Sequence, residues 1–483
     1  MKNIYTLLLM LLVLSCNSEK ETQLTSETFF KTGTIRISGE IKNYTKEEDK
    51  TLFFREFNIL TGVTVVVPVK INEEGIFEKV LTIHNPHEIR ITFMNQEILL
   101  LVNHLDDLNL VIDSKKKKAI IISGKGSVRN NIIQQYNLLS KSFKRNYIRK
   151  VSGKSFNEIL NEYAKVRKSL DSISKSVLAK IKPEITLLNW LEADKVALRN
   201  YDLIQYSIMN ESSPESFLSN KNIISKKEIN NISYFSNRSY NDDLFNNYLG
   251  CVIKENRNIF SKVNDELKKE NYKKGIELLS DSIFKNHKGL AKDILLFRFF
   301  EQMTRPTFVE VIGKKVDEDK LKKEYLKNVE NEFVKSVLLG KTSDAPNSLS
   351  VDKDGSGDII SYLLDKHKNK VLYVDISATW CGPCIAELPY SVSLHDKLSD
   401  KDIVFVYLFA ESKKKDWEKL SQKYKLKGEN LFISDYQYNL LLSTYGINNG
   451  FPQYFTIDKN KKIKKNANRP SSNSIKNDLL QLL

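Results

Sequence analysis

Apolar and polar residues alternate with a period of two along the first part of the chain. In residues 33–41 (GTIRISGEI), Ile35, Ile37 and Ile41 share one parity, with Arg36, Ser38 and Glu40 between them. This is the pattern of a strand with one buried face. Runs of the same kind recur at 51–57, 63–69, 77–84, 88–93, 97–101, 108–112 and 119–122, several of them separated by turn signals such as Asn72-Glu73-Glu74-Gly75 and Asn85-Pro86. Short strands at this spacing predict an all-β unit, sandwich-like or barrel-like, over residues 28–125. Beyond Gly124-Lys125-Gly126 the period lengthens to about 3.6. Ile132, Tyr136, Leu139 and Phe143 fall on one helix face, as do Ile159, Tyr163, Val166 and Leu170. Further helices are predicted over 186–209, 242–260, 263–270, 276–284, 291–303 and 318–339, with Pro183, Pro214 and Pro306 between segments. Residues 126–340 therefore read as a helical domain, its aromatic stripes as core.

From residue 341 the two periods alternate. Thr342 to Asn347 is polar and turn-rich, as a linker is. A helix is predicted over 359–367, a buried strand over the β-branched run 371–376, and a helix to about residue 397. The continuous apolar run 403–409 predicts a strand with parallel neighbours on both sides. Helices at 417–424 and 436–445 follow, then an antiparallel pair, 453–457 and 462–464, and a closing helix over 474–483. The chain is thus multidomain: all-β, then helical, then α/β.

Candidate chemistry sits where strand 371–376 passes into its helix, at Trp380-Cys381-Gly382-Pro383-Cys384. Two cysteines two residues apart at a helix start suit dithiol–disulfide chemistry. The first thiol meets unpaired backbone N–H groups and the positive end of the helix dipole, which favour thiolate. The second lies one turn further in, and Pro383 is tolerated because first-turn N–H groups have no intrahelical partner. The same spacing is half of a tetrahedral zinc site, but two more ligands are needed, no second pair exists, and His395 stands alone. Asp375 lies inside the apolar strand, where a carboxylate is costly unless used; desolvation raises its pKa and suits it to pass a proton near neutrality. Glu387, one turn beyond Cys384, is a second candidate base, with a solvated helix residue as the alternative. His84, His87 and His104 have no acidic or cysteine partner at ligand spacing and read as structural. No metal and no cofactor is called for.

The formal net charge of +15 comes from lysines scattered over the whole chain, without an arginine-rich patch interleaved with aromatics, which argues against nucleic acid as a partner. Lys115 to Lys118 reads as a solvated hairpin turn. At the N-terminus, Lys2 precedes an apolar run over residues 4–14, too short to span a bilayer, which ends in Val13-Leu14-Ser15-Cys16. That ending resembles the lipobox of bacterial lipoproteins. The resemblance implies a signal peptide over 1–16, lipid on Cys16, and a tether beyond it. Cys251, in an apolar helical pattern, reads as an inert buried thiol.

Trp380-Cys381-Gly382-Pro383-Cys384 is also the active-site pentapeptide of thioredoxin. Pro389 five residues after Cys384, Asp375 six before Cys381, Glu387, and Gly450-Phe451-Pro452-Gln453-Tyr454-Phe455 extend the likeness. Over residues 341–483 the chain resembles the thioredoxin superfamily, and within it the TlpA/ResA-like exported thiol-disulfide oxidoreductases. That implies an added hairpin at 348–355, an exposed nucleophile in Cys381, a resolving thiol in Cys384, and a cis bond before Pro452. Trp380, Gly382, Pro383, Phe451 and Pro452 would form the substrate contact surface. It further implies a lipid-anchored protein of the cell envelope facing the periplasm, as outer membrane lipoproteins do, with disulfide-bearing exported proteins as substrates and a membrane or periplasmic thiol as electron donor. The Gly-Pro dipeptide favours a reductase. An isomerase or oxidase remains open, as does a lipid-anchored binding protein whose β and helical modules capture a partner.

Overall fold

The computed structural model describes residues 29–339 and 359–483, apart from 46–50, 61–63, 94–95, 116–119, 152, 210–227, 229, 242–245, 286, 304–315, 434, 446 and 448–449. The expected signal peptide with Cys16, the linker at 342–347, the hairpin at 348–355, Pro214 and Pro306 lie outside the described residues, as does the Cys251 side chain.

The eight alternating runs are strands β1 (Gly33–Lys42), β2 (Thr51–Phe57), β3 (Thr64–Lys70), β4 (Ile76–Ile83), β5 (His87–Phe93), β6 (Gln96–Val102), β7 (Asp107–Asp113) and β8 (Ile120–Lys125). One sheet has the order β4-β1-β7-β8, with β1 antiparallel to β4 and parallel to β7. The other, β3-β2-β5-β6, is antiparallel throughout. Ile35, Ile37, Leu108 and Leu110 of the first share one apolar core with Leu52, Phe54, Ile89 and Ile91 of the second, so the sheets face each other. Strand alternation that turns Leu52 and Phe54 inward turns Phe53 and Arg55 to the opposite face, and that outer face is covered as well. Helices cover it along β6 and β5: Leu101 packs with Ile133, Tyr136 and Trp190, while Glu88 accepts from Trp190 Nε1 at 2.7 Å and from the Arg238 backbone N–H at 3.1 Å.

The helical region comprises α1 (Ser127–Val151), α2 (Phe156–Leu178), α3 (Ile185–Met209), a 3-10 turn (Ile232–Ser236), α4 (Asn246–Glu255), α5 (Arg257–Lys268), α6 (Tyr272–Leu278) continued by a π turn (Leu279–Ile283), α7 (Gly289–Met303), α8 (Glu318–Asn328) and α9 (Glu332–Leu338). Three expectations change. Leu139 and Phe143 are 47% and 41% exposed. The packed face of α1 shifts along its length, because Ile132 and Ile133 sit on Leu101 while Tyr147 meets Tyr163 of α2 edge-on. The run 242–260 is interrupted at Asn256, whose side-chain amide donates to the Val252 carbonyl at 2.8 Å and so closes α4. The run 318–339 is likewise two helices: buried Asp293 accepts the backbone N–H groups of Glu330 and Asn331, at 3.1 and 2.6 Å, drawing them away from helical bonding.

The C-terminal region begins with α10 (Ile359–Lys366) and continues β9 (Val371–Ser377), α11 (Gly382–Lys397), β10 (Ile403–Phe409), α12 (Lys414–Tyr424), β11 (Glu429–Phe432), α13 (Asp435–Tyr445), β12 (Gln453–Ile457), β13 (Ile463–Lys465) and α14 (Ile475–Leu480). The sheet order is β11-β10-β9-β12-β13, with β9, β10 and β11 parallel and the β12–β13 hairpin antiparallel to them. β11 was not expected: its four residues are all half-buried, so no alternation marks it. Leu372, Val374 and Ile376 face α10 and α13, while Val371 and Tyr373 face Leu388 and Leu394 of α11 and Leu398 just past its end. Phe53 and Val66, from the outer face of the second N-terminal sheet, join the cluster of Leu363, Tyr438 and Leu441. The Arg55 guanidinium donates to Asn439 Oδ1 beside them.

Gly39 marks a very close strand contact. It pairs with Leu110 across β1 and β7, and a Cβ there would stand 2.1 Å from the Leu110 carbonyl oxygen and 2.7 Å from the Phe77 ring. Gly39→Ala is therefore expected to destabilise the protein by about 1–3 kcal/mol or more, by forcing these strands apart. Urea unfolding checks this; a variant as stable as the parent would refute the close approach.

Candidate active site

β9 ends on Ser377, and four residues carry the chain into α11. Cys381 is the N-cap of that helix, and its Sγ accepts the Cys384 backbone N–H at 3.2 Å. Cys381 and Cys384 are joined by a disulfide. An N–H group aimed at Sγ from the first turn is what favours charge on that sulfur when the pair is open. Gly382 and Pro383 are exposed, with Pro383 in the first turn, where its missing N–H costs nothing. Pro389 lies inside the same helix. Cys381 itself, implied to be the exposed thiol, is only 5% exposed, because Ala378 and Phe451 pack against the disulfide.

The approach to the sulfurs is aromatic. Trp380 is 64% exposed, and its Nε1 donates to the Glu411 carbonyl at 2.8 Å. The adjoining Thr379 N–H bonds Ser412 Oγ at 2.9 Å, so the loop after β10 holds this segment at two points. Trp380 meets Phe451 edge-on, with centroids 5.6 Å apart, and Phe451 stacks on Tyr438 of α13 at 5.3 Å. The Phe451–Pro452 peptide bond is cis. Trp380, Cys381, Cys384 and Phe451 are thus brought together, with the sulfurs covered by Phe451.

Asp375 is 1% exposed and lies on the face of β9 that looks toward α11. Its cross-strand neighbours are Tyr407 and Tyr454. Tyr407 bonds Ser391 of α11 at 2.9 Å. One carboxyl oxygen accepts from Ser377 Oγ at 2.5 Å, and the other has no hydrogen-bond partner. Burial, reinforced by the charge of Glu387 and partly offset by the Ser377 hydroxyl, pushes the Asp375 carboxyl up to about 7. Glu387 is not a solvated helix residue. It is buried, and its two oxygens accept the Ser471 N–H at 2.9 Å and the Ser471 hydroxyl at 2.8 Å, with Arg469 3.8 Å away. Its carboxylate is committed to the loop before α14, whereas Asp375 keeps a free oxygen. Tyr407 and Ser471 escaped the sequence reading, since only the strand register and the loop path bring them to Asp375 and Glu387; Tyr438 escaped it because it meets the site by stacking on Phe451.

A family model described as Redoxin matches residues 341–483. The thiol-disulfide oxidoreductase ResA of Geobacillus thermodenitrificans is 27% identical over 135 residues, 28% of this chain and 73% of that protein. Thioredoxin H2 of Arabidopsis thaliana is 49% identical over 39 residues, 8% of this chain and 29% of its own. Among solved structures, the thioredoxin domain of a thiol-disulfide oxidoreductase from Bacteroides vulgatus matches 24% of this chain and 82% of its own at 23% identity, with a TM-score of 0.23. A vicinal dithiol on this sheet and helix makes the protein a thiol-disulfide oxidoreductase. By its C-terminal region the chain is a ResA-like protein of the thioredoxin superfamily.

A carboxyl whose folded pKa exceeds its unfolded one stabilises the fold fully below the unfolded value, and that contribution is lost as pH rises through the folded value. With Asp375 near 7 in the fold, the disulfide form is expected to lose on the order of 4 kcal/mol through this group between pH 4 and pH 8. Asp375→Asn should remove that part of the slope and be the more stable protein at pH 8. Urea unfolding of both proteins across the range tests it; identical slopes would show that Asp375 is not the group responsible.

Proposed function

We propose that the protein reduces disulfides of exported proteins, with Cys381 as nucleophile and Cys384 as resolving thiol. The Cys381 thiolate attacks one sulfur of the substrate disulfide, forming a mixed disulfide and releasing the first substrate thiol. The Cys384 thiolate then attacks Cys381 Sγ; the intramolecular disulfide closes and the second substrate thiol leaves. Two electrons pass from the dithiol to the substrate, and a membrane or periplasmic thiol donor restores the pair. The observation that carries this reading is Asp375, a buried carboxyl with a free oxygen and a pKa near neutrality, on the face of β9 toward the helix that the dithiol begins. It accepts the Cys384 proton in the second step. Glu387, tied to Ser471, shapes the charge around Asp375.

Trp380, Gly382, Pro383, Phe451 and Pro452 form the surface that receives the substrate chain. The reducing direction is supported by the Gly-Pro dipeptide, which is that of thioredoxin, at about −270 mV, where oxidants of the DsbA type lie near −120 mV. The N-terminal Val13-Leu14-Ser15-Cys16 supports a lipid anchor on Cys16 and a place in the cell envelope, facing the periplasm from the outer membrane. Among the described residues no helix is long and apolar enough to cross a membrane.

Cys384→Ser is expected to stall the reaction as a mixed disulfide on Cys381, which mass spectrometry of non-reduced adducts from the envelope would identify. Cys381→Ser should form none. Adducts that persist on Cys381→Ser would move the chemistry to another thiol.

A further inference from the structure

A continuous line of contacts joins the second N-terminal sheet to the disulfide. On the outer face of that sheet, Phe53 and Val66 are buried in the cluster that contains Tyr438 and Leu441 of α13. Between them Arg55, which pairs with Val66 across β2 and β3, donates from Nη2 to Asn439 Oδ1. Asn439 is itself buried. Its neighbour Tyr438 is fully buried, accepts the Gly450 N–H at 3.3 Å and stacks on Phe451 with rings 20° apart. Phe451 lies on Cys381 and Cys384 and edge-on to Trp380. Tyr438 therefore fixes both residues that enter β12 next to the dithiol, and α13, which carries Tyr438, is held from its far side by a residue of another sheet.

We infer that Arg55 is a positioning residue for the redox site: through Asn439 it sets the placement of α13, and through Tyr438 the placement of Phe451 over the dithiol. The N-terminal sheet is thereby part of the machinery that receives a polypeptide disulfide, although it touches neither sulfur. This rests on the proposed role of the Phe451 segment in receiving substrate. A polypeptide must lie along that segment, whereas a small disulfide needs only the sulfurs. Loss of the Arg55 contact should therefore separate the two kinds of substrate, which a general loss of folding would not do.

The experiment is a single-turnover measurement on the full chain. Pre-reduced protein is mixed with insulin, or with 2-hydroxyethyl disulfide, and the second-order rate constants are compared. Arg55→Met keeps the apolar stem and removes the donor. Its rate constant with insulin is expected to fall on the order of tenfold, with that for the small disulfide within twofold of the parent, and Arg55→Lys should recover part of the loss. Arg36→Ala, which removes an exposed pair with Glu78 on the other sheet, should change neither. A folded Arg55→Met that matches the parent on both substrates overturns the positioning role, and so does an equal loss on both. A parent protein inert toward both disulfides overturns the oxidoreductase chemistry itself.

Discussion

All seven residues of β9 are buried, and one of them is an aspartate. That burial is the constraint on which the site depends. A strand flanked by β10 and β12 and covered on both faces cannot shift register without turning Asp375 from the α11 side to the apolar side. Its end is therefore fixed, and with it the N-cap position of Cys381. The same burial supplies the chemistry, because desolvation raises the pKa of a carboxyl that lacks a full set of partners. The fixed end of β9 and the raised carboxyl pKa have one source.

The two carboxylates near the dithiol show how environment separates like groups. Glu387 satisfies both oxygens at Ser471, whereas Asp375 has one short bond and one empty lone-pair direction. Burial raises the pKa of the aspartate, and the charge of the glutamate adds to that rise.

Period-two alternation located all eight N-terminal strands, since each has one face in a shared core and the other turned away. The dithiol and Asp375 were legible for a similar reason: cysteines at a helix start and an acid inside an apolar run are chemically conspicuous. What could not be read was whatever depends on a distant partner. Nothing local to 318–339 announces that Asp293 will take two N–H groups and split the helix. Leu139 and Phe143 keep the helical period of a buried face, yet among the described residues they stay largely uncovered. Likewise, the alternation of β2 predicts that Phe53 and Arg55 face away from the sandwich, but not that α13 waits there. The second sheet is thus a common wall, with helices on one part of its outer face and the redox region on another.

One edge strand of the redox sheet, β13, has three residues, and Lys464 and Lys465 on it are exposed. A short edge carrying lysines offers little backbone for another chain to extend the sheet and repels a second copy of itself. Strand addition by another polypeptide is therefore disfavoured along that rim.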